Sequence, residues 1–428
     1  MHKFLASALA TAAALVPVGS SSLHSGHATL RSSHPASSIA VVARTRARCR
    51  SGARLTVSVD RRHVRSRRLP RRWKRVTMRV RVPSGHHTVA AKTKRCSVKR
   101  ATVSLLGRAP SSHGAPQPGA TAPAEPPAPG NPFAGQTWWV DPNSNAAKTA
   151  AQWRAAGRSA DADELEKIAT EPGSAWFGDW NGNVQADVQN TIARNRAGGA
   201  TQSVLVAYRA GLRAQCTATS QAQYGTWIRA FAAGIGNARA AVVLEPDGLP
   251  GLPSECSTPQ AQQAQLAMFA DAVSVLSALP GVAVYLDAGN KGWNSPATMA
   301  QRLAAAGVAK ARGIALNVSN FDSTANEVGY GKQIVAALGM PDKRLLIDTS
   351  RNGQGANGVW CNPAGRGLGH RPTADTGDPM VDAYYWIKTP GESDGDWSGC
   401  DQAGTPPSAG TWWPEYALGL AQRAALDG

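Results

Sequence analysis

Ala241-Val242-Val243-Leu244-Glu245-Pro246-Asp247-Gly248 runs four apolar residues of strand character into two acids and halts them with proline and glycine. Such a segment reads as a buried parallel strand delivering carboxylates to the loop at its C-terminal end. The competing reading is that Glu245 and Asp247 only cap the helix that follows.

The same grammar repeats over residues 131–428: an apolar strand, a polar residue at its end, a loop, an amphipathic helix. Strand candidates fall at 137–140, 203–208, 241–244, 282–286, 313–316, 344–347 and 381–386. Helices with apolar spacing of three and four fall at 221–235, 258–279, 296–306 and 326–338. Seven strands alternating with helices predict an α/β fold, a parallel β/α barrel or a close variant of one. An open doubly wound sheet is the alternative, but no Gly-x-Gly-x-x-Gly turn follows the first strand.

In a parallel barrel the C-terminal strand ends converge on one face, so the informative residues lie just after each strand. Here these are Asp141, Tyr208, Glu245 with Asp247, Asp287, Asn317 with Asn320, Asp348, and Lys388 followed by Glu392 and Asp394. The ring is rich in carboxylates and has no histidine or cysteine nucleophile. Twelve of the thirteen tryptophans lie in this part of the chain, among them Trp138, Trp139, Trp176, Trp180, Trp293, Trp360, Trp386 and Trp397. Flat aromatic faces beside carboxylates and amides suit pyranose rings. A divalent-metal site is the other use of clustered carboxylates.

The 428 residues are too many for one ordinary domain. Residues 1–28 read as a secretory signal peptide, a short basic start followed by an alanine- and leucine-rich run too short to anchor in a bilayer. No later stretch has the length of a membrane span, so a secreted, extracellular and monomeric protein is expected. Cys49, Cys96, Cys216, Cys256, Cys361 and Cys400 fall two to each third, which in an exported chain predicts the local disulfides Cys49–Cys96, Cys216–Cys256 and Cys361–Cys400. A zinc site would need a close ligand pair that the spacing lacks.

The net charge of +18 belongs to the front of the chain: between Arg31 and Arg108 lie 23 of the 46 Lys and Arg but one acid, Asp60. Residues 39–108 alternate in short strand-like bursts with turns between, which predicts a small all-β sandwich closed by Cys49–Cys96. Nine basic residues between Arg61 and Arg75 form one predicted loop. A surface so cationic binds polyanions by counterion release, and outside the cell an anionic cell-wall polymer fits better than nucleic acid; a merely solvated face is the plain alternative. Residues 109–130 are a Pro/Ala-rich linker.

The front segment, with "LTVSVD" (55–60) and "RVPSGHHTVAA" (81–91), resembles the small β-sandwich carbohydrate-binding modules of bacterial glycan hydrolases. It departs from them at Cys96-Ser97-Val98-Lys99-Arg100, where those modules carry acidic calcium ligands. Residues 131–428 are far more telling. "VVLEPDGL" (242–249), "VYLDAGNKGW" (284–293), "ALNVSNFD" (315–322), "LLIDTSRNGQG" (345–355) and the run from Trp360 to Gly395 together resemble glycoside hydrolase family 6. That resemblance implies a distorted, incomplete β/α barrel, cleavage of β-1,4-glucan with inversion, and no cofactor.

By motif it implies Asp247 as general acid, Asp394 as the carboxylate acting on water, and Tyr208 as the residue that crowds the sugar at the cleavage point. It implies Asp287, Lys388 and Glu392 as substrate-holding or charge-balancing groups and Trp139, Trp293 and Trp360 as sugar platforms. Asn317 is read as a further substrate contact and Ser220 as the loop serine that positions water, and the matched cysteines support the second and third disulfides. Inversion calls for about 6.5–9.5 Å between the two carboxyl groups. One departure carries a consequence. Where the family has an aspartate six residues after the matched tyrosine, this chain has Ala214, and Asn290 replaces the usual histidine. Loss of a neighbouring negative charge predicts a weak or acid-shifted hydrolase. The expectation is an open-cleft endoglucanase; the alternatives are an exo-acting cellobiohydrolase, a catalytically degraded glucan binder, and a cell-wall anchor in which the basic front domain is the functional end.

Overall fold

The computed structural model describes residues 130–426 apart from 211–217, 253–255, 257 and 398–402, together with strand segments between Leu15 and Arg108. The chain divides into two units, Met1–Ala120 and Thr121–Gly428.

In the first unit eight strands, β1 (Leu15–Leu23), β2 (His27–Ser32), β3 (Ser38–Thr45), β4 (Cys49–Val59), β5 (Arg62–Arg68), β6 (Arg75–Arg81), β7 (His87–Cys96) and β8 (Ala101–Arg108), pair antiparallel. They form two sheets, ordered β1-β8-β3-β6 and β2-β7-β4-β5. The register sets Cys49 opposite Cys96. Two strands, β1 and β2, arise from residues earlier than 39, β1 within the stretch read as a leader. The predicted arginine loop is in part strand β5, at a sheet edge. Charged side chains are what natural edge strands carry, and they hide the apolar alternation by which a strand is recognised.

The second unit is built on seven parallel strands: β9 (Ala175–Phe177), β10 (Ser203–Ala207), β11 (Ala240–Leu244), β12 (Val282–Asp287), β13 (Gly313–Leu316), β14 (Arg344–Asp348) and β15 (Val381–Tyr385). They lie in sequence order across one sheet, each paired with the next. The connecting helices are α3 (Val184–Ala197), α4 (Ala218–Ile235), α5 (Pro259–Ser277), α6 (Pro296–Ala305) and α7 (Thr324–Leu338). Asn183, Thr258, Ser295 and Ser323 cap α3, α5, α6 and α7 by accepting a first-turn N–H, and α5 and α6 open on proline. Helices α1 (Asn145–Ala155), α2 (Ser159–Ala169) and α8 (Pro414–Gln422) pack into a separate cluster with Trp386 and Leu368.

Alternation along each strand separates two cores. Leu205, Val242, Leu244, Val284, Leu286, Ile314 and Ile347 face the helices. Val204, Val206, Ala241, Val243, Ala283, Tyr285, Leu346, Ala383 and Tyr385 face the concave side, plugged by Phe133. The sheet curls without closing, as no ladder joins β9 to β15 among the described residues. Side chains bridge the gap instead: the Ser174 hydroxyl and the Trp176 indole, the latter at 2.8 Å, both donate to the Ile387 carbonyl.

The incomplete barrel is therefore as expected, with one reassignment. Residues 137–140 are not a strand. Thr137 is drawn to Thr201, whose hydroxyl accepts its N–H at 2.9 Å, and the Trp138 indole donates to Gln202. The first strand is the three-residue β9, too short to show a pattern.

Candidate active site

At the end of β11 the chain turns sharply. Glu245 and Asp247 both have left-handed backbones, φ 51° and 71°, a strained conformation for non-glycine residues that clusters at functional sites. The turn sends the two acids to different places. Glu245 is buried, and its Oε2 accepts the N–H groups of Arg209 at 2.9 Å and Ala210 at 2.6 Å, tying β11 to the loop after β10. It also lies beside Tyr224, whose hydroxyl is pushed well up by burial and then by the Glu245 charge.

Asp247 is half-buried, with Oδ2 at 3.3 Å from the Tyr208 hydroxyl. Its N–H donates to Asp287 Oδ2 at 2.9 Å, and Gly289 donates to the same oxygen at 3.2 Å. Burial raises the Asp287 carboxyl well above the ordinary range, the Asp247 charge pushes the same way, and the two amide donors only partly oppose this. The repulsion is mutual, so a charge on either carboxyl disfavours one on the other. The Tyr208 ring stands edge-on to Trp176, centroids 5.3 Å apart, and 6.3 Å from Trp180.

A second constellation forms at the ends of β14 and β15. Asp348 is fully buried and accepts the N–H groups of Ser319, Ser350 and Lys388 at 2.9–3.0 Å, joining three loops. Burial raises its carboxyl, against those donors. Three residues on, the fully buried Arg351 lies 4.3 Å over the Phe321 ring and donates to the Ser319 carbonyl. One of its terminal nitrogens reaches both Asp394 oxygens, at 3.0 and 2.9 Å. Lys388 Nζ lies 3.6 Å from Asp394 Oδ1, and Asn362 N–H donates to Oδ2 at 3.0 Å. Burial works to raise the Asp394 carboxyl, but Arg351 and Lys388 outweigh it and hold it below its usual value. Glu392 beside them is pushed up by burial against the same two cations.

The structure thus gathers Tyr208, Asp247 and Asp287 in one group and Lys388, Glu392 and Asp394 in another. Trp293 and Trp360, expected as sugar platforms, are 42% and 49% accessible. Trp360 meets Trp397 with centroids 5.5 Å apart, and the Trp397 indole donates to the Asp394 carbonyl at 2.7 Å.

Other expected residues are placed differently. Trp139 packs against Gly198 with Arg194 5.0 Å over its ring, at the C-terminal end of α3 where the chain enters β10. That is the end of the sheet opposite the carboxylates, which sets Trp139 apart from both carboxyl constellations although the family resemblance implied a sugar platform there. Asp141 consequently follows no strand and accepts the Asn143 N–H in a turn. Asn317 is fully buried, its amide engaged by the backbone of Asp322 and Asp348. It braces the end of β13 instead of facing a ligand. Ser220 lies half-buried in the first turn of α4.

Ala214, Cys216 and Cys400 lie outside the described residues, while Cys256 and Cys361 are buried and disulfide-bonded. No group of three or more His, Cys, Asp or Glu placed to hold a metal occurs among the described residues, nor any helix long and apolar enough to cross a membrane. Arg351 and Asn362 escaped the sequence reading. Only Arg351 left a signal, a cation in the loop directly after Asp348.

A family model described as Glycosyl hydrolases family 6 matches residues 133–424. Among similar proteins, Endoglucanase A of Cellulomonas fimi is 40% identical over 294 residues, 67% of this chain and 61% of that protein, so the chain spans about three fifths of that relative's length. Endoglucanase 1 of Streptomyces halstedii is 39% identical over 65% of this chain and 87% of its own. The endoglucanase Cel6 from Mycobacterium tuberculosis, solved with methyl-cellobiosyl-4-deoxy-4-thio-β-D-cellobioside, superposes with a TM-score of 0.60 at 38% identity, covering 68% of this chain and 99% of its own.

Proposed function

The chain belongs to glycosyl hydrolases family 6, and from that premise we propose that it is a secreted, inverting, endo-acting β-1,4-glucanase with Asp247 as its proton donor. The observation that carries this reading is the Asp247–Asp287 pair: two coupled carboxyls at adjacent strand ends, one buried and raised, the other half-open beside Tyr208. A general acid must bring a proton to the glycosidic oxygen as the bond breaks. Repulsion within the pair favours a shared proton, and Tyr208 orients the outer carboxyl.

Asp394 is held ionised with both oxygens engaged, which makes it a weak base. Its part is to receive the proton of the attacking water through an intervening water and to fix charge opposite the acid. Trp293 and Trp360 would carry pyranose faces on either side of the scissile bond. Because the buried Asp287 competes for the shared proton and Ala214 supplies no charge, activity should be greatest at acid pH and decline as pH rises toward neutrality. Endo action is supported by the endoglucanase relatives; on carboxymethyl cellulose it would appear as viscosity falling faster than reducing ends accumulate, and the reverse would mark an exo-acting enzyme.

The test is Asp247→Asn. On glucan its kcat should drop by about 10²–10⁴-fold, the usual worth of a positioned acid. On an aryl cellobioside whose leaving group needs no protonation the loss should shrink to a few-fold. Equal losses on both substrates would remove Asp247 from that role.

A further inference from the structure

Helix α7 grips the loop that follows β12. Asn326 Oδ1 accepts from Lys291 Nζ at 2.9 Å, Glu327 Oε1 accepts the Lys291 N–H at 3.0 Å, and the Tyr330 hydroxyl donates to the Asn294 carbonyl at 2.8 Å. The gripped loop begins at Asp287 and presents Trp293. Of the three gripping residues Glu327 is fully buried, and its Oε2 is enclosed without a hydrogen-bond partner. No catalytic step above uses it. An ionised carboxylate with one amide donor in such a place is poorly compensated, whereas a neutral acid is tolerated.

We propose that Glu327 is a positioning residue: as a neutral acid it seats the loop that offers Trp293 to the glucan, and on ionisation it releases that loop. The proposal rests on the glucanase reading. The groups facing Glu327 agree with it. Burial drives its carboxyl up to about 8, Asp322 before α7 adds to this, and the Lys291 amide and ammonium oppose it. Asp287 at the end of β12 and Tyr330 one turn along α7 both feel the Glu327 charge. From α6 the nearest cation is Arg302, which acts on Tyr330 and donates to the carbonyls of Leu249 and Pro250. A charge on Glu327 would therefore stand between two other acids with the exposed Lys291 as its main answer.

The experiment measures cellotetraose binding by calorimetry in the slowed Asp247→Asn protein, at about pH 6 and pH 9. Affinity should fall about tenfold between them, equivalent to ~1.4 kcal/mol. Adding Glu327→Gln, a permanently neutral isostere, should abolish the fall. Adding Glu327→Ala should weaken binding at both pH values. Persistence of the full fall with Gln, or undiminished binding with Ala, overturns the proposal. Absence of any binding at pH 6 sinks the glucanase reading instead, and thermal unfolding of wild type and Glu327→Gln then decides the residue's role. A gap that widens in favour of Gln as pH rises from about 5 to 8 supports a buried neutral acid, and parallel curves refute it.

Discussion

The two carboxyl constellations are opposites built from the same residue type. At the ends of β11 and β12, burial and the Asp247 charge both raise the Asp287 carboxyl, which favours keeping a proton on the pair. At the ends of β14 and β15, the Asp394 carboxyl is also largely enclosed, yet Arg351 and Lys388 hold it below its usual value. Burial alone thus does not decide protonation; the partner does. On the proposed glucanase reading, that difference suits the first group to proton donation and the second to fixed negative charge.

The largest effect should come from breaking the second group. Arg351→Met leaves Asp394 buried with Lys388 and one amide, and removing one partner of a buried ion pair costs about 3–5 kcal/mol. Urea unfolding should register that loss, and a change under about 1 kcal/mol would mean the pair is not what holds these loops. The pH dependence has a definite sign. A depressed Asp394 contributes stability present above the ordinary carboxylate pKa and lost as pH falls through its folded value, so Arg351→Met should also flatten the acid limb of the stability curve.

Asp287→Asn should act in the contrary sense on stability. A raised carboxyl loses stability as pH rises, because the unfolded chain releases the proton first, so the neutral amide should leave the protein as stable or more stable at neutral pH. Activity should nonetheless fall about 10–100-fold, since the donor loses its proton-sharing partner. Equal losses of stability and activity would reduce Asp287 to a structural brace. Tyr208→Phe removes one 3.3 Å contact to Asp247 and keeps the ring against Trp176. The smallest change is expected there, about 1 kcal/mol or under tenfold in kcat; an unchanged pH profile would show that the hydroxyl does not orient the acid.

Much of this was legible in residue order because parallel strands buried on both faces leave unbroken apolar runs, and a polar residue ending such a run is conspicuous. Asp247, Asp287 and Asp348 were found that way. Thr137-Trp138-Trp139-Val140 failed the same test although its composition is strand-like, because its backbone partner is Thr201 at the far end of the sheet. Arg351, Asn362 and Glu327 were not legible, since what each does depends on a group brought to it by folding: Asp394 for the first two, Lys291 for the third. Strand pattern alone did not tell Glu245 from Asp247; the family motif singled out Asp247. Two successive left-handed turns send one back to the loop after β10 and the other toward Tyr208.

The contrast itself is open to direct measurement by carbon-13 NMR titration of the aspartate carboxyls, with Asp247→Asn, Asp287→Asn and Asp394→Asn variants identifying the signals. The account predicts that Asp394 is already ionised below the ordinary carboxylate range, while the Asp247–Asp287 pair gives up its last proton well above that range. A pair fully ionised at the same pH as a free aspartate, or an Asp394 titrating above it, would contradict the assignment of donor and fixed charge.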